Sequence, residues 1–338
     1  HTILNGGTSL VTGDDAFAGK FGTVGSVEFA GVQVVGSRVI ARTEGAESAF
    51  VSATGDITQA ASWTSVVTGT SGSAGSNFAL NAQLGIATNG TKWTMVSHGR
   101  IWEATTATPG PAASWTNIFS PQASSPIPAD IATQRSADPT ICNTDPDTSI
   151  QPQLTQATYV APDLSIIVGP AGAVNQTGDD TPGVCISTDG GHTFHHSAFA
   201  GLDDGQGPVG VACTSKDHCV GYGGIQSNDG TAVIYVTNNA SSGATSTWTK
   251  ATIPTTPVDA GFRSAAFAPD GMHGWIVGNS ASNGSLMYTT SDGGTTWTDA
   301  TGTVKTLAGD HRLHSVYVFD ATHVWIGGEQ GVLLASGS

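Results

Sequence analysis

The sequence predicts an all-β protein folded as a β-propeller of four-stranded blades, and three observations carry that expectation. Glycine is very frequent at 45 of 338 residues, Ser, Thr and Ala are abundant, and charged residues make up only 11%. That composition is poor for helices and suits short strands joined by tight turns. A unit of about 50 residues recurs along the chain, the period expected of propellers and repeat arrays. Two of the units also turn on nearly the same eight residues.

The repeats set the elements in order. The clearest copies are GMHGWIVGNSASNGSLMYTTSDGGTTWTDA (271–300), DATHVWIGGEQGVLLASGS (320–338), the segment 216–251 and the segment 162–197; weaker copies occupy 90–118 and 37–66. Each reads as a short apolar strand, a turn with Asp or Gly, a second apolar strand ending in Gly, a third strand of alternating residues, and a turn that closes on an aromatic. The closing aromatics are Trp63, Trp115, Phe194, Trp248 and Trp297, at intervals of 52, 79, 54 and 49 residues. The long interval contains a Pro-rich, acidic stretch, 120–154, expected to be an insertion loop within a single propeller domain spanning 1–338. Six blades are favoured, and seven follow if that stretch hides another. A β-solenoid is the structural rival, but its repeats are shorter and more uniform. The last unit stops before its fourth strand, and TILNGGTSLVTG (2–13) is expected to supply it, closing the ring and removing the open sheet edges.

The two specific turns are Ser187-Thr188-Asp189-Gly190-Gly191-His192-Thr193-Phe194 and Thr290-Ser291-Asp292-Gly293-Gly294-Thr295-Thr296-Trp297, 103 residues apart. They resemble the Asp-box, S/T-x-D-G-G-x-T-W/F, of sialidase-type propellers and of the related Ycf48-like and secreted Asp-box proteins. The resemblance implies that the boxes lie on the blade periphery, away from any active site. Physical chemistry agrees with a structural role. Glycine accepts positive φ in a sharp hairpin, the Asp carboxylate can accept backbone N–H groups, and the aromatic can bury itself between sheets.

Catalysis finds little support. The sialidase resemblance implies three arginines, a Tyr nucleophile paired with a Glu, and an Asp acid/base, the first arginine in an R-I-P motif. That motif is missing: Arg100 begins R-I-W, and Arg38 precedes Val39-Ile40. No G-x-S-x-G elbow, P-loop or H-E-x-x-H occurs. A non-catalytic propeller binding a protein or carbohydrate ligand therefore stands first. A glycan-active hydrolase of the sialidase-like type and a secreted copper- or zinc-binding protein are the alternatives. Trp93 and Trp102 are candidate ligand contacts, although Trp93 parallels the core-like Trp275 and Trp325.

Charge narrows the partners. A net charge of −15 with only 11 scattered basic residues argues against nucleic acid. No apolar run approaches the roughly 20 residues needed to span a bilayer. Four cysteines and a Ser/Thr/Gly-rich composition point to a secreted, periplasmic or cell-surface location. Cys213 and Cys219 flank a short turn and are expected to bridge, which leaves Cys142 to pair with Cys185. Zinc is the rival for these thiols, but no CxxC is present.

Ten histidines outnumber five lysines. His218, His273 and His323 occupy equivalent turns before second strands and are read as structural. The metal candidates are His192, His195 and His196, with His1 as a further one. In a strand, His192 and His196 would share a face, and neutral imidazoles suit copper or zinc. A free N-terminal His can chelate copper, and the opening His1-Thr2-Ile3 is similar to mature starts of lytic polysaccharide monooxygenases. Calcium is a candidate at Asp145-Pro146-Asp147, Asp179-Asp180 and Asp203-Asp204. No cofactor is assigned from these residues.

Overall fold

The computed structural model describes residues 28–35, 38–44, 49–52, 63–65, 85–88, 91–97, 100–104, 116–119, 138, 142, 156–168, 183–202, 208–223, 232–254, 256–257, 259–280, 284–329 and 332–336. These form six antiparallel sheets, each a simple meander. The first comprises β1 (Glu28–Val35), β2 (Arg38–Glu44), β3 (Ala49–Ser52) and β4 (Trp63–Ser65), and the second β5 (Gly85–Thr88), β6 (Trp93–Ser97), β7 (Arg100–Ala104) and β8 (Thr116–Phe119). The third contains β9 (Gln156–Ala161), β10 (Leu164–Val168), β11 (Gly183–Ser187) and β12 (His195–Ala198), and the fourth β13 (Pro208–Cys213), β14 (Cys219–Gly223), β15 (Val233–Thr237) and β16 (Thr249–Lys250). The fifth holds β17 (Ala260–Phe267), β18 (Gly274–Ser280), β19 (Gly284–Thr290) and β20 (Thr298–Asp299); the sixth has only β21 (Leu313–Val318), β22 (Val324–Gly328) and β23 (Leu333–Ser336). The all-β propeller architecture expected from the repeats is present. The proposed closing strand at 2–13 lies outside the described residues, as does 120–154 apart from Asp138 and Cys142.

The sheets stand face to face, first strand beside first strand, from β5 and β9 through β13 and β17 to β21. Central strands are accordingly buried on both faces: β11, β14 and β15 are buried at every residue. Between the third and fourth sheets Phe199 stacks on Tyr235 with centroids 4.6 Å apart and lies 4.8 Å from Trp248. Between the fourth and fifth sheets, Val220, Ile234, Phe262, Ile276, Tyr288 and Trp297 fill the core. Each such aromatic contributes roughly 2–3 kcal/mol through its burial. Neighbouring sheets are also joined by backbone at their outer edge. The Thr252 N–H donates to the Thr295 carbonyl at 3.0 Å, and the Trp297 N–H donates to the Thr252 carbonyl at 2.9 Å.

The composition held no hint of the helix α1 (Thr301–Ala308), which follows β20. Val304 and Ala308 bury its inner side against the fifth and sixth sheets. Asp299 starts it by accepting the Thr301 N–H at 2.8 Å, and Gly309 ends it at φ 63°. Disulfides join Cys142 to Cys185, with Cα atoms 6.0 Å apart, and Cys213 to Cys219, at 4.0 Å. No helix is long and apolar enough to cross a membrane among the described residues.

Two aromatic expectations are corrected. Trp93 is only 2% exposed, so it belongs to the core and is no ligand contact. Trp325 is not core-like: it shares the outer face of the sixth sheet with Tyr317, and the two rings lie 5.8 Å apart. The side chain of Trp102 lies outside the described residues.

Candidate functional site

The Asp-boxes join the third and fourth strands of their sheets, between β11 and β12 and between β19 and β20. Asp189 accepts the N–H groups of His192 and Thr193 at 2.9 Å and the hydroxyls of Ser187 and Thr193 at 2.6 Å. Desolvation opposes ionisation of this carboxyl, but the hydroxyls of Ser187 and Thr193 and the two N–H groups outweigh it and hold it below the usual carboxylate range. Asp292 repeats the pattern, accepting the Thr290 hydroxyl, the Thr296 N–H and the Thr296 hydroxyl at 2.8, 2.9 and 2.6 Å. Gly190, Gly191, Gly293 and Gly294 all take positive φ. A Cβ at Gly294 would lie 2.8 Å from Val220, so this corner tolerates no side chain. Phe194 and Trp297 are buried at 3% and 4% exposure. The aspartate oxygens of both boxes thus serve the turn.

A third box, illegible in the sequence, closes the fourth sheet. Asn239 takes the aspartate's place. It accepts the Thr237 hydroxyl at 2.9 Å and the N–H and hydroxyl of Thr247 at 2.9 and 3.2 Å, next to the buried Trp248. Chain inserted between Asn239 and Thr247 folds into a short 3-10 turn, Ala240–Thr245, which breaks the spacing that defines the motif.

The first box is tied to β9 of its own sheet and through it to Thr94 of the sheet before, and the second directly to the sheet before. The Tyr159 hydroxyl donates to the Gly190 carbonyl at 3.1 Å and meets the Thr94 hydroxyl at 2.8 Å. Burial pushes this phenol up to about 12, so it stays protonated and serves as a donor, not a nucleophile. At the second box, His218 Nε2 lies 2.7 Å from the Gly293 carbonyl, and its Nδ1 lies 2.6 Å from Asn238 Oδ1. His273 and His323 occupy the equivalent turns but pair with Asp270 at 2.6 Å and Asp320 at 2.9 Å within their own loops.

The metal candidates among the described residues do not gather into a ligand set. His192 lies in the box turn and not in a strand, its Nδ1 3.7 Å from Glu103, which also meets Lys92 at 3.1 Å. His195 Nδ1 lies 3.3 Å from Asp138, while the adjacent His196 is buried at 8% exposure. Among the described residues no three His, Cys, Asp or Glu side chains gather as metal ligands. His1, Asp145, Asp147, Asp179, Asp180, Asp203 and Asp204 lie outside the described residues.

What the motifs miss is a repeated irregularity in the first strands. β1, β13, β17 and β21 each carry a β-bulge, and the residues that the register skips are Ala30, Val209, Arg263 and His314. Each is followed by Gly or Ser, and Val209, Arg263 and His314 sit at the same distance from the C-terminal end of their strands, so the bulge recurs at one position in three successive sheets. A bulge turns its extra residue out of the ladder, and Arg263 and His314 are exposed as a result. Because β17 and β21 are neighbours, the two side chains fall on adjacent strands; the Ser264 hydroxyl accepts the Val316 N–H at 3.1 Å between them. Arg263 donates to Asn279 at 3.3 Å, while Arg312 and His314 lie 3.8 and 3.7 Å from Glu329. The Asp-box turn bonds the loop at the far end of β17, through the Gly293 N–H and the Met272 carbonyl at 3.0 Å. The bulges therefore lie toward the opposite end of the strands. They place the exposed side chains of Arg263 and His314 on adjacent first strands of an acidic chain.

Antiparallel four-stranded sheets packed side by side through their first strands, two intact Asp-boxes and one concealed box define an Asp-box β-propeller. Residues 240–338 match the family model described as photosynthesis system II assembly factor YCF48. The fold is similar to YCF48 from Cyanidioschyzon merolae, at a TM-score of 0.57 and 15% identity over 92% of this chain and 83% of that one. It is similar to YCF48 bound to D1 peptide, at 0.52 and 13% over 93% and 78%. It is also similar to a GH74 xyloglucanase from Xanthomonas campestris, at 0.55 and 12% over 91% of this chain and 44% of that chain. No curated protein sequence matches the chain.

Proposed function

We propose that residues 1–338 act as one non-catalytic binding propeller in a secreted, periplasmic or cell-surface setting, and that its ligand is an extended segment of another protein. The observation that supports this reading best is the repeated bulge that presents Arg263 and His314 on adjacent first strands, with Arg312 beside them. Guanidinium groups at a rim can bind carboxylates in a paired, directional way, which suits an acidic or C-terminal peptide. A structure of similar fold is YCF48 bound to D1 peptide, and two disulfides fit an oxidising compartment. The alternative, a glycan-active hydrolase, rests on fold likeness to the xyloglucanase; release of reducing ends from xyloglucan by the purified chain would replace the binding reading.

The test is selection of a phage-displayed random peptide library on the full chain. Acidic peptides should enrich, and the Arg263→Glu, His314→Glu double variant should bind them at least roughly tenfold more weakly at unchanged melting temperature, the scale expected for lost charge-assisted contacts. Absence of enrichment, or equal binding by the variant, rejects the reading.

A further inference from the structure

The hairpin between β13 and β14 is a meeting point of three sheets. Its tip exposes Ser215, Lys216 and Asp217. Lys216 Nζ lies 2.5 Å from Asp163 Oδ2, in the turn between β9 and β10 of the third sheet. Asp217 accepts the Ser241 hydroxyl through its carboxylate and the Ala240 N–H through its carbonyl, in the turn that follows β15. His218 reaches the Gly293 carbonyl of the second Asp-box. Val220 packs so close to Gly294 of the same box that a Cβ there would lie 2.8 Å from it. Cys219 stands between these two residues.

Cys213 and Cys219 close this hairpin as register partners. The hairpin does not need their bridge to form. Its ladder continues through Ala212 and Val220, Val211 and Gly221, and Gly210 and Tyr222. The turn is held by the Thr214 N–H on the His218 carbonyl and by the His218 N–H on the Ser215 hydroxyl, both at 3.0 Å. Opening the bridge therefore leaves the fold standing. The two bridges also differ in access. Cys142 and Cys185 are 1% and 2% exposed and Cys219 is 0% exposed, whereas Cys213 is part-exposed beside the hairpin tip. Thiol–disulfide exchange begins when a thiolate reaches a sulfur, so burial selects one bridge and one point of entry.

We propose that Cys213–Cys219 is a redox-exchange site for a dithiol protein carrying a Cys-x-x-Cys pair, and that opening it loosens the fourth sheet's hold on the second Asp-box. A thiolate of the reductant attacks Cys213 Sγ and forms a mixed disulfide as the Cys213–Cys219 bond breaks. The electron pair leaves on Cys219 Sγ, which takes up a proton. The second thiolate of the reductant then attacks its partner sulfur in the mixed disulfide and releases Cys213, which is protonated in turn. The bridge gains two electrons and two protons, and the dithiol becomes a disulfide. The reverse reaction, with the oxidised dithiol, closes the bridge again.

The experiment treats the full chain, without denaturant, with reduced thioredoxin, blocks free thiols with N-ethylmaleimide and maps them by peptide mass spectrometry. Cys213 and Cys219 should be labelled in a chain that still melts cooperatively, while Cys142 and Cys185 stay unlabelled until the chain is unfolded. Amide hydrogens of residues 290–297 should exchange at least roughly threefold faster in the reduced chain, as expected of a locally loosened segment. Two single variants test the point of entry: the native Cys219→Ser chain should react with Ellman's reagent at least roughly tenfold faster than the native Cys213→Ser chain, because only the first leaves an accessible thiol. Labelling of Cys142 and Cys185 at the same rate, no labelling without denaturant, equal amide exchange in the two redox forms, or equal reactivity of the two variants would overturn the proposal.

Discussion

Asn239 shows how a turn can keep its chemistry after losing its signature. An Asp-box needs one oxygen that accepts from the residue two before it and from a Thr that follows, and Asn supplies that through Oδ1. The box therefore survives a substitution and an insertion that together erase the pattern from the sequence. Asn239→Asp should leave the melting temperature nearly unchanged, because the accepting oxygen is retained. Asn239→Ala should cost about 1–2 kcal/mol in denaturant unfolding, because the hydrogen bonds from Thr237 and Thr247 lose their acceptor. Equal stability of the alanine and aspartate variants would show that the turn is held by Trp248 burial instead.

Among elements, the two disulfides act on different lengths of chain. Cys142–Cys185 ties a single residue of the 120–154 stretch to β11 and closes a separation of 43 residues; Cys213–Cys219 closes only six, between β13 and β14. On the chain-entropy account the longer loop contributes about 4 kcal/mol and the shorter about 2 kcal/mol. The Cys142→Ser, Cys185→Ser variant should therefore melt well below the Cys213→Ser, Cys219→Ser variant in calorimetry. The opposite order would mean that the β13–β14 hairpin depends on its bridge more than loop length allows. The bulged first strands belong to this scale too. At Arg263 and His314 the bulge spends one ladder position and leaves a polar side chain exposed.

For the whole molecule, stability should depend on pH at both extremes. Asp189 and Asp292 titrate below their ordinary value, and Asp270 falls to about 2, held by the His273 N–H, the His273 ring and the Met272 N–H. A depressed carboxyl contributes stability that is present above its unfolded value, 3.8, and is lost as pH falls through the folded one. Thermal stability should thus stay level down to about pH 4 and drop between about pH 4 and 2. The phenols of Tyr159 and Tyr288 behave oppositely. Raised from 10.0 to about 12 mainly by burial, they contribute stability below pH 10 that disappears as pH rises toward 12. A melting temperature level from about pH 4 to 2 would contradict the carboxyl assignment, and one level from about pH 10 to 12 would contradict the phenol assignment.

The repeat, the strand order within each unit and the two intact Asp-boxes were legible because they are local. Gly at positive φ, alternation along a strand and an aromatic at a fixed offset leave their mark within a few dozen residues. The same locality explains why His218, His273 and His323 could be placed in equivalent turns, yet not that His218 alone reaches across to the next box at Gly293. By itself the sequence determined the architecture of the blades, the turns that close them and the cysteines available to bridge. Only the tertiary structure decided that Trp93 is core while Trp325 is exposed, that His192, His195 and His196 part company, and that Asn239 completes a box. It also decided that Arg263 and His314 fall at bulges on adjacent first strands. Those outcomes depend on which sheet faces which and on where a ladder slips by one residue, and such contacts join positions tens of residues apart that no local pattern encodes.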